Sequence, residues 1–318
     1  MFAKSNKNLM NFPGCWVYRK KFPDYNEGNK NMKQKKTLKD LNLLDRFLFA
    51  EAMENPENMQ TVLEIVLGKE IALKYLPQVE KETRTSPLYR YVKLDVWTQD
   101  MEGTLYDTEV QKKNTNNLPK RSRYYQAMID SRLLEPGEIE FNRMNHVFII
   151  VIAPFDLFGY QKYRYSFQMA CREVEGLALE DGAERIFLNT HGNNEDEVSR
   201  ELIELLHYME DTTAATSQKC ESNRIRQMQE RIEAIKSNEE VSVRYMQEWE
   251  ERELEKREAR EEGIKQGIEK GIEKGIESLI LDNLDEGIGE ERILLKLEKR
   301  FSLPSEKARE YYQRYARK

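Results

Sequence analysis

Long apolar runs, paired cysteines and clustered histidines are all missing from this chain. No segment approaches the roughly eighteen apolar residues that a membrane-spanning helix needs, and the N-terminus lacks the uninterrupted apolar stretch of a secretory signal. A soluble cytoplasmic protein with no membrane partner is therefore expected. The three cysteines, Cys15, Cys171 and Cys220, are scattered and lack CxxC spacing. That argues against a disulfide framework and against a structural zinc site. His146, His191 and His207 lie far apart without ligand spacing, so each reads as structural or exposed. Apolar residues make up only 39% of the 318, and charged residues 34%. The charged share exceeds the usual quarter or so, which places part of the chain outside any globular core.

The charge is unevenly spread. Residues 1–40 hold ten Lys/Arg against three acids, a balance of +7, while the whole chain is -6, leaving -13 for the rest. Residues 1–36 show no defensible period and read as a flexible basic leader: either an arm for the DNA backbone or, as the favoured reading, an unstructured leader, for which an extension upstream of a start at Met32 is one origin. From Thr37, with Asp40 three residues on as a capping-box partner, Leu38, Leu41, Leu44, Leu48 and Phe49 predict an amphipathic helix. A second helix is expected from Pro56 to a stop at Gly68, and 69–87 reads as a connection.

Leu94 to Gln111, LDVWTQDMEGTLYDTEVQ, carries the chemistry. It predicts strands at about 88–98 and 104–111, joined by a turn through Asp100 and Gly103. Alternation puts Asp107, Glu109 and Gln111 on one face of the second strand. If the hairpin closes, Asp95 and Glu109 meet. Carboxylates gathered on a sheet repel one another and are costly to desolvate, and a divalent cation relieves both costs. The expectation is a Mg²⁺ site, with Mn²⁺ as an alternative. A helix opening at Pro119 follows, PKRSRYYQAMID, in which Lys120, Arg121 and Arg123 join Lys112 and Lys113 just upstream. Such a cluster is a solvated face or a grip on DNA phosphates, and its place beside the hairpin favours DNA. Val147 to Ala153 reads as a strand buried on both faces at the centre of a sheet. A short strand at 185–189 and a helix at about 197–209 complete the predicted domain, 37–216.

Residues 217–262 form an expected long charged helix with coiled-coil tendency, since Ile225, Met228, Ile232 and Ile235 recur at steps of three, four and three. In 263–278 Gly263, Gly267, Gly271 and Gly275 are each followed by isoleucine, so a glycine stripe lies beside an isoleucine stripe on one helix. Four glycines cost on the order of 4 kcal/mol relative to alanine. Close packing on a partner helix would offset that, and a homo-oligomer through the C-terminal helices is expected. Residues 279–318 form a small helical tail broken at Pro304.

Taken together, LLDRFLFAEAM, the hairpin, LPKRSRYYQAMID, VFIIVIAPFDLFG and EEGIKQGIEKG resemble the bacterial Rpn-type recombination-promoting nucleases and transposases, within the PD-(D/E)XK nuclease superfamily. The resemblance covers about 38–280. It implies an α/β fold with a mixed central sheet flanked by helices, Mg²⁺-dependent cleavage of DNA, and a link to mobile DNA. Asp95 takes the place of the first metal-binding aspartate, Glu109 that of the second acid, and Asp45 that of a helix-borne acid. Gln111 stands where the superfamily pattern has lysine. A glutamine amide hydrogen-bonds but brings no positive charge. Lys93, two residues before Asp95 on the same strand face, is either a substitute cation or a surface lysine. Asp45 is either the third acid or an edge residue paired with Arg46 or Lys39. The leading expectation is a metal-dependent endonuclease; the alternative is a decayed nuclease fold kept for DNA binding or self-assembly.

Overall fold

The computed structural model describes residues 36–83, 92–134 and 136–316, with side chains outside 80–94. The basic leader and the Lys93 side chain thus fall outside the described residues. Two compact units divide the chain, 36–246 and, among the described residues, 247–316.

Among the described residues the first unit is built on a six-stranded sheet of order β1 (Gln78–Thr83), β2 (Val92–Gln99), β3 (Leu105–Val110), β4 (Val147–Ala153), β6 (Ala183–Asn189), β5 (Arg164–Phe167). The N-terminal segment is not the one helix its spacing predicts. Asp40 accepts from the Thr37 backbone and hydroxyl at 2.8 and 2.7 Å, but only a 3-10 turn, Leu38–Asp40, follows. The chain then re-enters helix as α1, Arg46–Met53, with Asp45 as its N-cap. Leucines at helical spacing serve two short elements equally well, and the Asp45 cap decides where the second begins. Helix α2, Pro56–Leu67, starts at proline and ends at Gly68 in the left-handed conformation, as expected.

Strand β1, Gln78–Thr83, lies in what the sequence presents as a connection; it pairs antiparallel with β2, Val92–Gln99. The hairpin to β3, Leu105–Val110, forms where predicted. Asp100 closes it by accepting from the Glu102 and Thr104 amides at 3.0 and 2.8 Å and from the Tyr106 hydroxyl at 2.7 Å. Gly103 takes φ 90° in this turn, a conformation that disfavours any side chain. Helix α3, Leu118–Asp130, leads into β4, Val147–Ala153, which runs parallel to both β3 and β6, Ala183–Asn189. This is the interior strand its unbroken apolar run predicts. The unpredicted β5, Arg164–Phe167, is the far edge.

Helices α4, Arg200–Glu210, α5, Ala214–Lys219, and α6, Asn223–Lys236, complete the unit. One face of the sheet, through Val96, Tyr106, Val110, Ile150 and Ile152, packs on α1, α2, α4 and α6 in the main core. The other, through Leu105, Val147, Ile149 and Val151, packs on α3. Ile225, Met228 and Ile232 of α6 are fully buried in the main core rather than lying on an exposed coiled coil. A three-four-three apolar spacing fits a core-facing helix and a coiled-coil seam alike. A break at Ser237 separates α6 from α7, Glu239–Asp285.

In the second unit, Ile276 and Ile280 of α7 pack with Ile293 and Leu297 of α8, Glu290–Phe301, and with Ala308 and Tyr315 of α9, Ser305–Tyr315. The Gly-Ile repeat is helical. Among the described residues nothing beyond the helix's own backbone lies within 4 Å of a Cβ built on Gly263, Gly267 or Gly271, whereas a Cβ on Gly275 would stand 3.4 Å from the Phe301 ring. Ile264, Ile268 and Ile272 are 42%, 57% and 45% exposed.

Candidate active site

Strand alternation and register assemble the acids. In the β2–β3 ladder Val96 faces Thr108 and Trp97 faces Asp107, so continuing it by one residue sets Asp95 beside Glu109. Asp95, Trp97, Asp107 and Glu109 all project from the face that α3 covers. Three carboxylates are thereby withdrawn from water: Asp95 is 3%, Glu109 2% and Asp107 0% exposed.

Two helices lay arginines over them. Arg46, in the first turn of α1, reaches Asp95 with Nη2 at 2.6 Å from Oδ1. Arg121, in the first turn of α3, donates from Nη2 to Glu109 Oε2 at 3.0 Å. Tyr125, one turn further along α3, lies under the same guanidinium, 5.7 Å from its ring centroid. Burial pushes the Glu109 carboxyl up to about 8, and the neighbouring Asp95 charge adds to this, while Arg121 and Arg46 oppose it. Burial and then the charges of Glu109 and Asp95 drive Asp107 in the same direction, well above the carboxylate range. Burial followed by Glu109 raises the Tyr125 phenol. The cluster is thus rich in acids and withdrawn from solvent, with two cations at its margin.

Of the residues singled out from the sequence, Asp95, Glu109 and Arg121 come together here. Asp45 is engaged elsewhere: Oδ1 caps α1 by accepting from the Phe47 amide at 3.3 Å, and Oδ2 takes Lys112 at 3.1 Å. Lys112 therefore meets an acid of α1. Gln111 is half-buried just past β3, its backbone amide donating to Ile152 at 2.9 Å. Lys120 and Arg123 are exposed on α3. Sequence reasoning passed over Arg46, Tyr125 and the burial of Asp107 as parts of the site. Their signals were faint: an arginine beside an already chosen aspartate, a tyrosine four residues after Arg121, and an acid in step with Glu109.

The model of the PD-(D/E)XK nuclease family transposases matches residues 43–262. The chain belongs to this family. No curated protein matches it, and no solved structure does. The match runs from the start of α1 through the whole sheet to the charged stretch of α7, and so includes every residue of the pocket. The mixed sheet flanked by helices is that of a PD-(D/E)XK fold, and membership carries a nuclease- or transposase-like function toward nucleic acid. PD-(D/E)XK nucleases generally use divalent metals. The donor set fits such an ion in kind: all oxygen, all carboxylate, and in Asp107 two buried oxygens without hydrogen-bond partners among the described residues. Among the described residues no three Asp, Glu, His or Cys groups already stand in a metal-holding arrangement. No described helix is long and apolar enough to cross a membrane.

Proposed function

We propose that this family member is a magnesium-dependent endonuclease that hydrolyses phosphodiester bonds of DNA, in the setting of recombination or mobile elements. The observation that carries this reading is the pairing of two buried carboxylates, Asp95 and Glu109, with two arginines from different helices. Asp95 and Glu109 are the residues that would hold the cation. The chemistry such an ion would supply there is polarisation of the phosphate and acidification of a water molecule.

The chain's own groups do the rest. Gln111, at the open end of β3, hydrogen-bonds water or a phosphate oxygen through its amide. The positive charge that a lysine would have placed there comes instead from Arg121 and Arg46, whose planar guanidinium groups match phosphate oxygens. Lys120 and Arg123, exposed beside Arg121 on α3, neutralise flanking phosphates, and Lys112 adds to them. Self-association through Ile264, Ile268 and Ile272 follows from their exposure beside an open glycine stripe.

The test is nicking of supercoiled plasmid with Mg²⁺. Asp95→Ala and Glu109→Ala should each lower the rate at least a hundredfold, and equal nicking by either would overturn the assignment. Gln111 motivates a second reading, a nuclease fold kept for DNA binding alone. Retained DNA binding by a wild-type protein that takes up neither Mg²⁺ nor Mn²⁺ in calorimetry would establish it.

A further inference from the structure

Asp107 is the most anomalous side chain in the first unit. It is wholly buried, and among the described residues neither of its oxygens has a hydrogen-bond partner. Other acids withdrawn from water in this domain are provided for. Asp100 accepts from two amides and a tyrosine hydroxyl, Asp130 from the Gln126 amide at 2.8 Å, and Glu109 from Arg121. A carboxylate without donors is strongly disfavoured in the interior, and an apolar residue or asparagine would satisfy the packing at less cost. Something positive that the chain itself does not supply accounts best for its presence.

The position says what that is. Asp107 is two residues before Glu109 on the same strand face, roughly 7 Å along the strand, and diagonal to Asp95 across the β2–β3 ladder. On its other side β4 presents Ile149, which offers no donor. Arg121 is already bound to Glu109 and Arg46 to Asp95. Asp45, the acid expected from the first helix, has one oxygen committed to the α1 cap and the other to Lys112. Two carboxylates and an orphaned third thus project from one face of adjacent strands; they do not stand as a ready-made cage, but a hard cation with oxygen ligands would draw them together.

We propose that Asp107 is a third carboxylate ligand of the cation held by Asp95 and Glu109, filling the part that Asp45 was expected to play. The proposal rests on the metal-site reading above, and binding measurements separate the two. Full-length protein is titrated with Mn²⁺ in a calorimeter, using wild type, Asp107→Asn, Asp107→Ala and Asp95→Asn. Both Asp107 variants are expected to weaken Mn²⁺ at least tenfold while melting, in chelator, no lower than wild type. Whichever of the two is folded by that criterion decides the matter. Unchanged Mn²⁺ affinity in a folded Asp107 variant, with binding lost in Asp95→Asn, would overturn the third ligand and leave the two-carboxylate site standing. Absence of Mn²⁺ binding by the wild type would remove both.

Discussion

The two faces of β3 are equally buried and chemically opposite. Tyr106, Thr108 and Val110 point to the side where α1, α2, α4 and α6 close the main core; Leu105, Asp107 and Glu109 point toward α3. On the first face the Tyr106 hydroxyl donates to Asp100, and its ring stacks on Phe148 with centroids 5.6 Å apart; the one orphan there among the described residues of β3 is the neutral Thr108 hydroxyl. On the second, three acids share two arginines and Asp107 has neither. A face that serves packing alone has no reason to hold such acids, because a buried carboxyl group weakens a fold whether it stays ionised or takes up a proton. Concentrated unmatched acid inside a sheet marks where stability has been given up for chemistry.

The largest separation between the faces should appear in activity. Asp95→Ala is expected to lower plasmid nicking at least a hundredfold with its urea midpoint close to wild type, whereas Ile150→Ala should leave the rate per folded molecule unchanged. Ile150 is fully buried in the main core, so that second substitution should cost about 2–5 kcal/mol in chemical denaturation. Arg121→Ala addresses the boundary between the faces. It removes the partner of a buried glutamate and, on the proposed reading, a cation that meets phosphate, so nicking should fall about tenfold or more, with stability reduced by about 1–3 kcal/mol. Arg121→Lys should recover most of the stability and only part of the rate, as a point charge replaces a fork.

The smallest effect belongs to an ion pair outside the site. Arg224 meets Glu201 at 2.5 Å and Glu64 at 2.9 Å, and its hydrogen bond is the main cause that holds the Glu201 carboxyl below its ordinary 4.5. A carboxyl lowered by folding stabilises the protein above its unfolded value, and that contribution disappears as pH falls through the folded one. Glu201→Gln should therefore cost about 1 kcal/mol or less at pH 7, given the partial exposure of the pair. The difference from wild type should shrink in melts run at pH values falling below 4.5 and vanish once the pH is under the lowered folded value. Glu109 is shifted in the opposite direction, which restates in one residue type the contrast between a satisfied ion pair and an acid pocket.

Much of this arrangement was legible residue by residue. Pro56 and Gly68 bracket α2, Pro119 sits in the first turn of α3, and Gly103 marks the hairpin turn, because each reflects a local backbone constraint. The alternation that set Glu109 on a common face with Asp107 is equally local. β1 and β5 were invisible for the converse reason. They are short and partly polar, and they exist as strands through the ladders offered by β2 and β6 at the two edges of the sheet. The location of α6 also escaped, since its apolar stripe reads the same whether it meets a core or another chain.

The sequence by itself determined the hairpin, the interior strand β4, the α3 helix with its arginine, and the pairing of Asp95 with Glu109, all of which follow from short-range periodicity and turn chemistry. Only the tertiary structure decided that Arg46 lies on Asp95, that Asp45 turns away to cap α1 and bind Lys112, and that Asp107 has no hydrogen-bond partner among the described residues. Those outcomes depend on which helix ends approach which strand ends, and on how much water remains between them. No spacing along a chain encodes either quantity.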